Sequence, residues 1–450
     1  MTNWTKYILF ILIIAGIASC KVKKAATDSN IIIIDDNTNN VSIKDDTIVN
    51  KPLDLKPDTI IIIEPSLNLK DEYNVVLILP LLADSIFSNW SDHTEEDLKD
   101  FNIPKKSQEA LTFLEGAMLA LQNLELESKI NIEVYDNEYS YAQTNFILNK
   151  LETKNVDLII GPIKRQNIQL VSNFAKKKDI LMLSPFSPSK SAGSKHYKYI
   201  MSEPTIDVHF KTISQFISDS IAQSSVKLFY PDTDFGIENA YKLQSIIQAM
   251  NDTLPLSKSI QYAMVEVASK TNDRRNFKIE DFLDTGIDNS IIIISFNEGF
   301  VHSMLTSLHQ QLKSYDITVF GMPNWKESES LRLDYFESLN VHYTDSKWID
   351  TEETNTSNFI KDFKEEYKAH PSESAYLGYD LFNCFPLWLD KYGLDLDKNI
   401  FKERYEGLLN TYHFTPLDYT IDSTETLSPR IENTNLHIIE YKNYELNLIK

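Results

Sequence analysis

From Tyr73 onward, short apolar runs alternate with longer segments whose apolar residues recur every three or four positions, and this alternation limits the possible folds more than any other feature. "YNVVLILPLL" reads as a buried strand. After a polar excursion from Ala83 to Lys106, "SQEALTFLEGAMLALQNLELE" sets Leu111, Leu114, Met118, Leu121 and Leu124 at helical spacing. "KINIEVYDNE" is the next strand, "SYAQTNFILNKLETK" a helix and "VDLIIGP" a third strand. "QNIQLVSNFAKKK" is helical again, and "ILMLSPFSPS" is a strand entering a Ser/Pro loop. The rhythm then repeats. "FKTISQFISDSIAQ" precedes "SVKLFYPD", "ENAYKLQSIIQAM" precedes "SKSIQY", and "SIIIISFNE", "GFVHSMLTSLHQQL" and "DITVFGMPNW" follow. A tail adds the helices "NTSNFIKDFKEEYKAH" and "AYLGYDLFNCFPLWLDKY", with strands near "LDYTI" and "NLHIIEYKN". Strands that alternate with helices predict parallel sheets covered on both faces, here as two doubly wound α/β lobes.

The segment ahead of this pattern has a different character. Lys6 precedes an apolar run from Tyr7 to Ile17, then come Ala18, Ser19 and Cys20. A positive end, a short apolar stretch and small residues form a secretory signal. The run is shorter than the roughly 20 residues a membrane-spanning helix needs. Ile17-Ala18-Ser19-Cys20 resembles the lipobox of bacterial lipoproteins, which implies cleavage after residue 19 and acylation of Cys20. An ordinary signal with a chance cysteine is the alternative. Lys21 stands where that family often carries an Asp that retains the protein at the inner membrane, so the outer membrane is the expected address. Residues 20–72 read as the lipidated cysteine and a disordered tether rich in Asp, Asn and Thr. The runs Ile31–Ile34 and Ile60–Ile63 leave open that strands from it join a sheet edge.

The charge balance excludes classes of partner. The chain has 44 Lys and Arg against 65 Asp and Glu, a net −21, and losing Lys6 with the leader makes it −22. Such acidity repels nucleic acid and anionic headgroups. Hydrophobic content of 42% suffices for packed cores, and the residues beyond the tether suggest two lobes rather than one. The only other cysteine is Cys384, so lipidation of Cys20 leaves no disulfide within the chain. Cys384 lies among Phe382, Phe385, Leu387 and Trp388, the setting of a packed apolar residue. Eleven glycines in 450 residues are poor material for phosphate loops.

Catalytic motifs are missing from the sequence. It has no G-x-S-x-G elbow, H-E-x-x-H, Walker loop or G-x-G-x-x-G. "DTDFG" begins like a calcium loop but lacks the later ligands and closing glutamate, so it reads as a strand-to-helix loop. His302 and His309 lie seven residues apart on one helix, too far for a shared metal without other ligands. No cofactor is expected.

The order of elements resembles the type 1 periplasmic binding protein family. The resemblance rests on "FLEGAMLAL", "VYDNEYS", "DLIIGP", "LMLSP", "YPDTDFG", "IIIISFNE" and "AYLGYD", spread over residues 73–450. It implies two lobes joined by three crossovers near residues 203, 350 and 412. Lobe 1 is then 73–203 plus 351–411, and lobe 2 is 204–350 plus 412–450, behind the leader of residues 1–19. It also implies a ligand cleft at the C-terminal ends of the strands. Carried onto this sequence, the cleft positions are Arg165, Ser187 and Ser189 in lobe 1, with Phe235, Asn297 and Trp325 in lobe 2. Tyr379 and Asp380, also in a family-like motif, read as lobe packing and helix start. The acid that holds the ammonium in amino-acid-binding relatives should lie near "GMPNW", where Asn324 and Trp325 stand instead. A buried ammonium without its partner costs several kcal/mol, so the amino-acid clamp does not carry over.

These readings lead to a non-enzymatic, lipid-anchored binding, scaffold or regulatory module in the periplasm. It resembles the outer-membrane lipoprotein of this fold that activates a penicillin-binding protein. The alternative is a transport or sensing protein for a small polar or anionic solute. The partners expected are a membrane through the N-terminal lipid and either such a solute or an envelope protein of cell-wall synthesis or transport. The cleft can equally be a groove with no small ligand.

Overall fold

The computed structural model describes residues 67–87, 103–189, 196–221, 224–274, 276–417, 420–421, 425–426 and 430–449. Cys20, the leader and most of the tether lie outside these residues. The chain builds β1 (Glu72–Leu79), α1 (Ala83–Phe87), α2 (Lys105–Gln122), β2 (Lys129–Asp136), α3 (Tyr141–Leu151), β3 (Leu158–Ile160), α4 (Arg165–Lys178), β4 (Leu181–Ser184) and β5 (Tyr199–Met201). A second run holds α5 (Ile206–Ser220), β6 (Ser225–Pro231), α6 (Asp234–Asn251), β7 (Tyr262–Val267), β8 (Asn289–Ile293), α7 (Glu298–His309), β9 (Ile317–Gly321), α8 (Leu333–Ser338) and β10 (Val341–Asp345). Then follow α9 (Thr354–Tyr367), α10 (Glu373–Tyr392), α11 (Leu396–Asn399), β11 (Tyr405–Glu406), β12 (Thr411–Tyr412), β13 (Phe414–Leu417), β14 (Thr420–Ile421), β15 (Glu425–Thr426), β16 (Arg430–Asn433), β17 (His437–Lys442) and β18 (Glu445–Leu448).

Two seven-stranded sheets result, one per lobe, in the orders β13-β16-β5-β4-β3-β1-β2 and β18-β17-β10-β9-β8-β6-β7. In each, the five strands from the βα repeats run parallel. This is the expected fold, two doubly wound α/β lobes joined by three crossovers. The periodicity of β1 shows why both sheet faces need cover. Val75, Leu77 and Leu79 enter the core beneath α2, α9 and α10, while Val76 and Ile78 enter the core beneath α3 and α4. A strand apolar on both faces cannot have a side toward water.

The third crossover departs from the sequence expectation. β13 pairs antiparallel with β16, and Ile431 and Glu432 of β16 lie beside Ile200 and Met201 of β5. Residues 414–417 and 430–433 therefore extend the sheet of lobe 1. The chain passes to lobe 2 between Asn433 and His437, not near 412. The other passages fall between β5 and α5 and between β10 and α9. Both leave from the C-terminal ends of parallel strands, so those ends face the hinge in each lobe.

Lobe 1 depends on one close helix contact. A Cβ at Gly116 of α2 would overlap the Ala375 carbonyl of α10, and one at Gly378 of α10 would overlap the Phe113 carbonyl of α2. Cys384, on the same α10, is fully buried with its thiol 3.6 Å from the Leu381 carbonyl.

Candidate functional site: the cleft between the lobes

The lobe 1 wall is set by the loops after β3 and β4, neighbours in the sheet. Arg165 is the first residue of α4 and is exposed. Ser187 and Ser189 are half-buried in the loop after β4. The Ser184 hydroxyl donates to the Ser187 carbonyl at 3.4 Å, and Ser202, on the first crossover, donates to the Pro185 carbonyl at 2.7 Å. The serine loop is thus tied to the hinge. Phe186 turns inward, its ring 5.1 Å from that of Phe113.

The lobe 2 wall comes from the adjacent strands β6, β8 and β9. In "DTDFG", Thr233 caps α6 by accepting from the Gly236 N–H at 3.1 Å, which leaves Phe235 exposed at the start of the helix. Its ring lies 5.3 Å from that of Phe296, the residue before the α7 cap. Phe235 and Phe296 are 44% and 39% exposed, so an aromatic pair faces solvent at the strand ends. Asn297 caps α7: its side-chain oxygen accepts from the Phe300 N–H at 2.9 Å. Trp325 stands in the core of lobe 2 at 2% exposure. Its indole N–H donates to the Ser295 carbonyl at 3.2 Å, and its ring occupies the space a side chain at Gly321 would need. Asn324 donates to the Phe296 carbonyl at 3.4 Å. Phe235, Asn297 and Trp325 are therefore all tied to segment 295–297, but they present different chemistry: one open ring, one helix cap and one core residue.

Charged contacts between the lobes are made by residues other than these six. The Lys326 ammonium, next to Trp325, pairs with Asp345 of lobe 2 and lies 3.8 Å from Glu373, the first residue of α10 in lobe 1. Glu373 also takes Lys347 at 3.2 Å. Lys347 sits on the second crossover, 3.9 Å from Glu203 on the first, and Ser346 donates to Glu203 at 3.0 Å. Burial raises the Glu203 carboxyl above its usual range, with Lys347 and Ser346 acting against it. Burial lowers Lys347, but Glu203 and Glu373 outweigh it and hold the ammonium above its ordinary value. Deeper in the hinge, Thr205 donates to the buried Glu432 at 3.1 Å. The His209 ring lies 2.7 Å from the Thr344 hydroxyl, and burial pushes this histidine down to about 4. Directly after "GMPNW", then, stands a cation committed to two carboxylates.

Asp380, flagged by the "AYLGYD" motif, is fully buried and accepts from the Leu408 and Leu409 N–H groups at 2.7 and 2.9 Å. Burial pushes it up to about 7 against those donors. It fastens α10 to segment 408–410. Among the described residues no three His, Cys, Asp or Glu side chains are grouped to hold a metal ion, and no helix is long and apolar enough to cross a membrane.

Among solved structures, the chain superposes on a putative branched-chain amino acid ABC transporter protein from Rhodospirillum rubrum with a TM-score of 0.57 at 14% identity. An ABC transporter substrate-binding protein from Desulfitobacterium hafniense in complex with Leu gives 0.53 at 14%. The C-domain of LpoA from Haemophilus influenzae, a regulator of PBP1A, gives 0.51 at 12%. Each superposition covers 84% of this chain and 100% of the other. No curated protein sequence matches the chain. Residues 119–385, more than half the chain, match the receptor family ligand binding region, and the chain belongs to that family, built on the type 1 periplasmic binding protein fold.

Proposed function

We propose that the chain is a non-enzymatic scaffold or regulatory module of the cell envelope, anchored through lipid on Cys20, whose cleft is pinned rather than built to close on a solute. The observation that carries this reading is Lys326, shared between Asp345 of lobe 2 and Glu373 of lobe 1. A solute-binding protein needs open and closed arrangements close in free energy, so that ligand affinity can select one. Here opening the lobes would separate the Glu373 carboxylate from the Lys326 ammonium, a screened pair that biases the lobes toward the arrangement seen. The Haemophilus influenzae neighbour of this fold is named as a regulator of PBP1A, which supports the reading.

The second reading, a solute-binding protein, is favoured by the exposed Phe235–Phe296 pair, which suits a ring-bearing or apolar group beside an anion near Arg165. Thermal-shift and calorimetric titration with amino acids, organic acids and muropeptides separates the two. The scaffold reading expects no shift with any of them. Tight binding of leucine or valine would overturn both the scaffold reading and the departure from the amino-acid clamp. Membrane fractionation of Cys20→Ala tests the anchor, and that variant should appear as unprocessed or soluble protein.

A further inference from the structure

The charges of this acidic chain are unevenly placed. Residues 139–178 hold seven cations and two acids, a net of +5, while the rest holds 37 cations and 63 acids, a net of −26. The basic segment folds as α3, β3 and α4, with the two helices side by side over one face of the lobe 1 sheet. Its two acids are committed: Asp157 is buried on Lys70 at 2.7 Å, and Glu152 holds Lys177 and Lys178 at 3.0 and 2.7 Å. From the adjacent β2, Glu133 holds Lys154.

The outer surface of the helix pair also carries rings. Tyr141 and Phe146 are 55% and 50% exposed, and the Lys150 ammonium lies 4.4 Å over the Phe146 ring. Asn145 and Asn149 lie beside them on α3, with Gln169 and Asn173 exposed on α4. Aromatic residues and arginine are enriched where proteins meet and lysine is depleted, so Tyr141, Phe146 and Arg165 carry the argument for contact, while the lysines set the sign of the face.

We propose that the α3–α4 face of lobe 1 docks an acidic protein surface. Charge complementarity sets the sign of the partner, because this face is basic while the remainder of the chain repels anions. Screening over about 8 Å at physiological salt lets the patch act at contact range despite the −26 behind it. The rest of the chain decides between a protein and a lipid surface: an extended anionic bilayer meets the acidic remainder of the chain as well, whereas a partner of limited size meets this face alone. This deepens the scaffold reading by naming the surface through which it acts.

The test uses the full chain and a glutamate–tyrosine copolymer as the acidic polypeptide probe, in interferometry at physiological ionic strength. The copolymer should bind. The charge reversal Lys150→Glu with Lys176→Glu should weaken it at least about tenfold, and Phe146→Ser, which leaves the charge unchanged, at least about threefold. Lys361→Glu, on the exposed side of α9, should leave it unchanged. No binding, or equal affinity in the α3–α4 variants, overturns the proposal. Tighter binding to phosphatidylethanolamine–phosphatidylglycerol vesicles than to the copolymer overturns it in favour of a membrane surface. All substituted side chains are exposed, and circular dichroism verifies that each variant is folded. A solute found in the titrations above would remove the scaffold reading without changing these outcomes, so the two failures are distinguishable.

Discussion

Glu373 of lobe 1 lies 3.2 Å from the ammonium of Lys347, on the chain segment leaving lobe 2. Its other oxygen lies 3.8 Å from Lys326, so one carboxylate bridges two lysines across the cleft. The consequence is a hinge whose setting depends on charge as well as packing.

A double-mutant cycle of Lys347→Met and Glu373→Gln in urea unfolding should return a coupling of about 0.5–1 kcal/mol. The Glu373 side chain is 50% exposed, which keeps the coupling at the level of a screened pair. High salt should reduce it further. A coupling of zero at low salt would show that the pair does not hold the lobes.

The glycines between α2 and α10 predict a packing penalty. Gly378→Ala should destabilise lobe 1 by about 1–3 kcal/mol, the usual cost of overpacking. The obstacle is the Phe113 backbone carbonyl, which cannot rotate away as a side chain could. Gly116→Ala meets the Ala375 carbonyl and should behave alike. Denaturant midpoints equal to wild type would contradict this close approach.

Stability should depend on Glu115 at neutral pH. Burial pushes its carboxyl up to about 7 from the ordinary 4.5, so between these values the folded chain keeps a proton that the unfolded chain has lost. The contribution of this group to stability therefore falls as pH rises from 4.5 to 7 and is level above. Glu115→Gln removes the penalty and should raise stability by about 1–3 kcal/mol at pH 8 with little effect at pH 5. Equal gains at both pH values would point to a cause other than ionisation.

Cys384 should be chemically quiet. Its thiol is fully buried and burial raises it well above the ordinary range, which removes the reactive thiolate. In Cys20→Ser protein, native Cys384 should react with a thiol reagent at least about tenfold more slowly than after denaturation. Rapid labelling of the native chain would mean that α10 opens readily.

The sequence made the lobes legible because periodicity is local. The alternation in "YNVVLIL" and the recurrence from Leu111 to Leu121 each lie within one element, and both faces of β1 are buried as that pattern requires. The strand ends that line the cleft follow from the same order, since helices returning over parallel strands leave the connecting loops at those ends. The roles of individual cleft residues did not follow. Asn297 is at a strand end but caps a helix, and Trp325 is beside the cleft but packs into the lobe 2 core.

What the sequence alone determined, then, is the set of elements and their order: two parallel α/β lobes, with Cys384 inside the first. Tertiary structure decided where the chain last changes lobes and what holds the lobes together. The strand Phe414–Leu417 belongs to lobe 1 only because β16 is free beside β5, and Glu373 meets Lys326 across 47 residues and Glu203 meets Lys347 across 144. Local patterns report which face of an element is apolar. They carry no information on which distant charge or strand edge will stand opposite, because that is fixed only when the lobes pack.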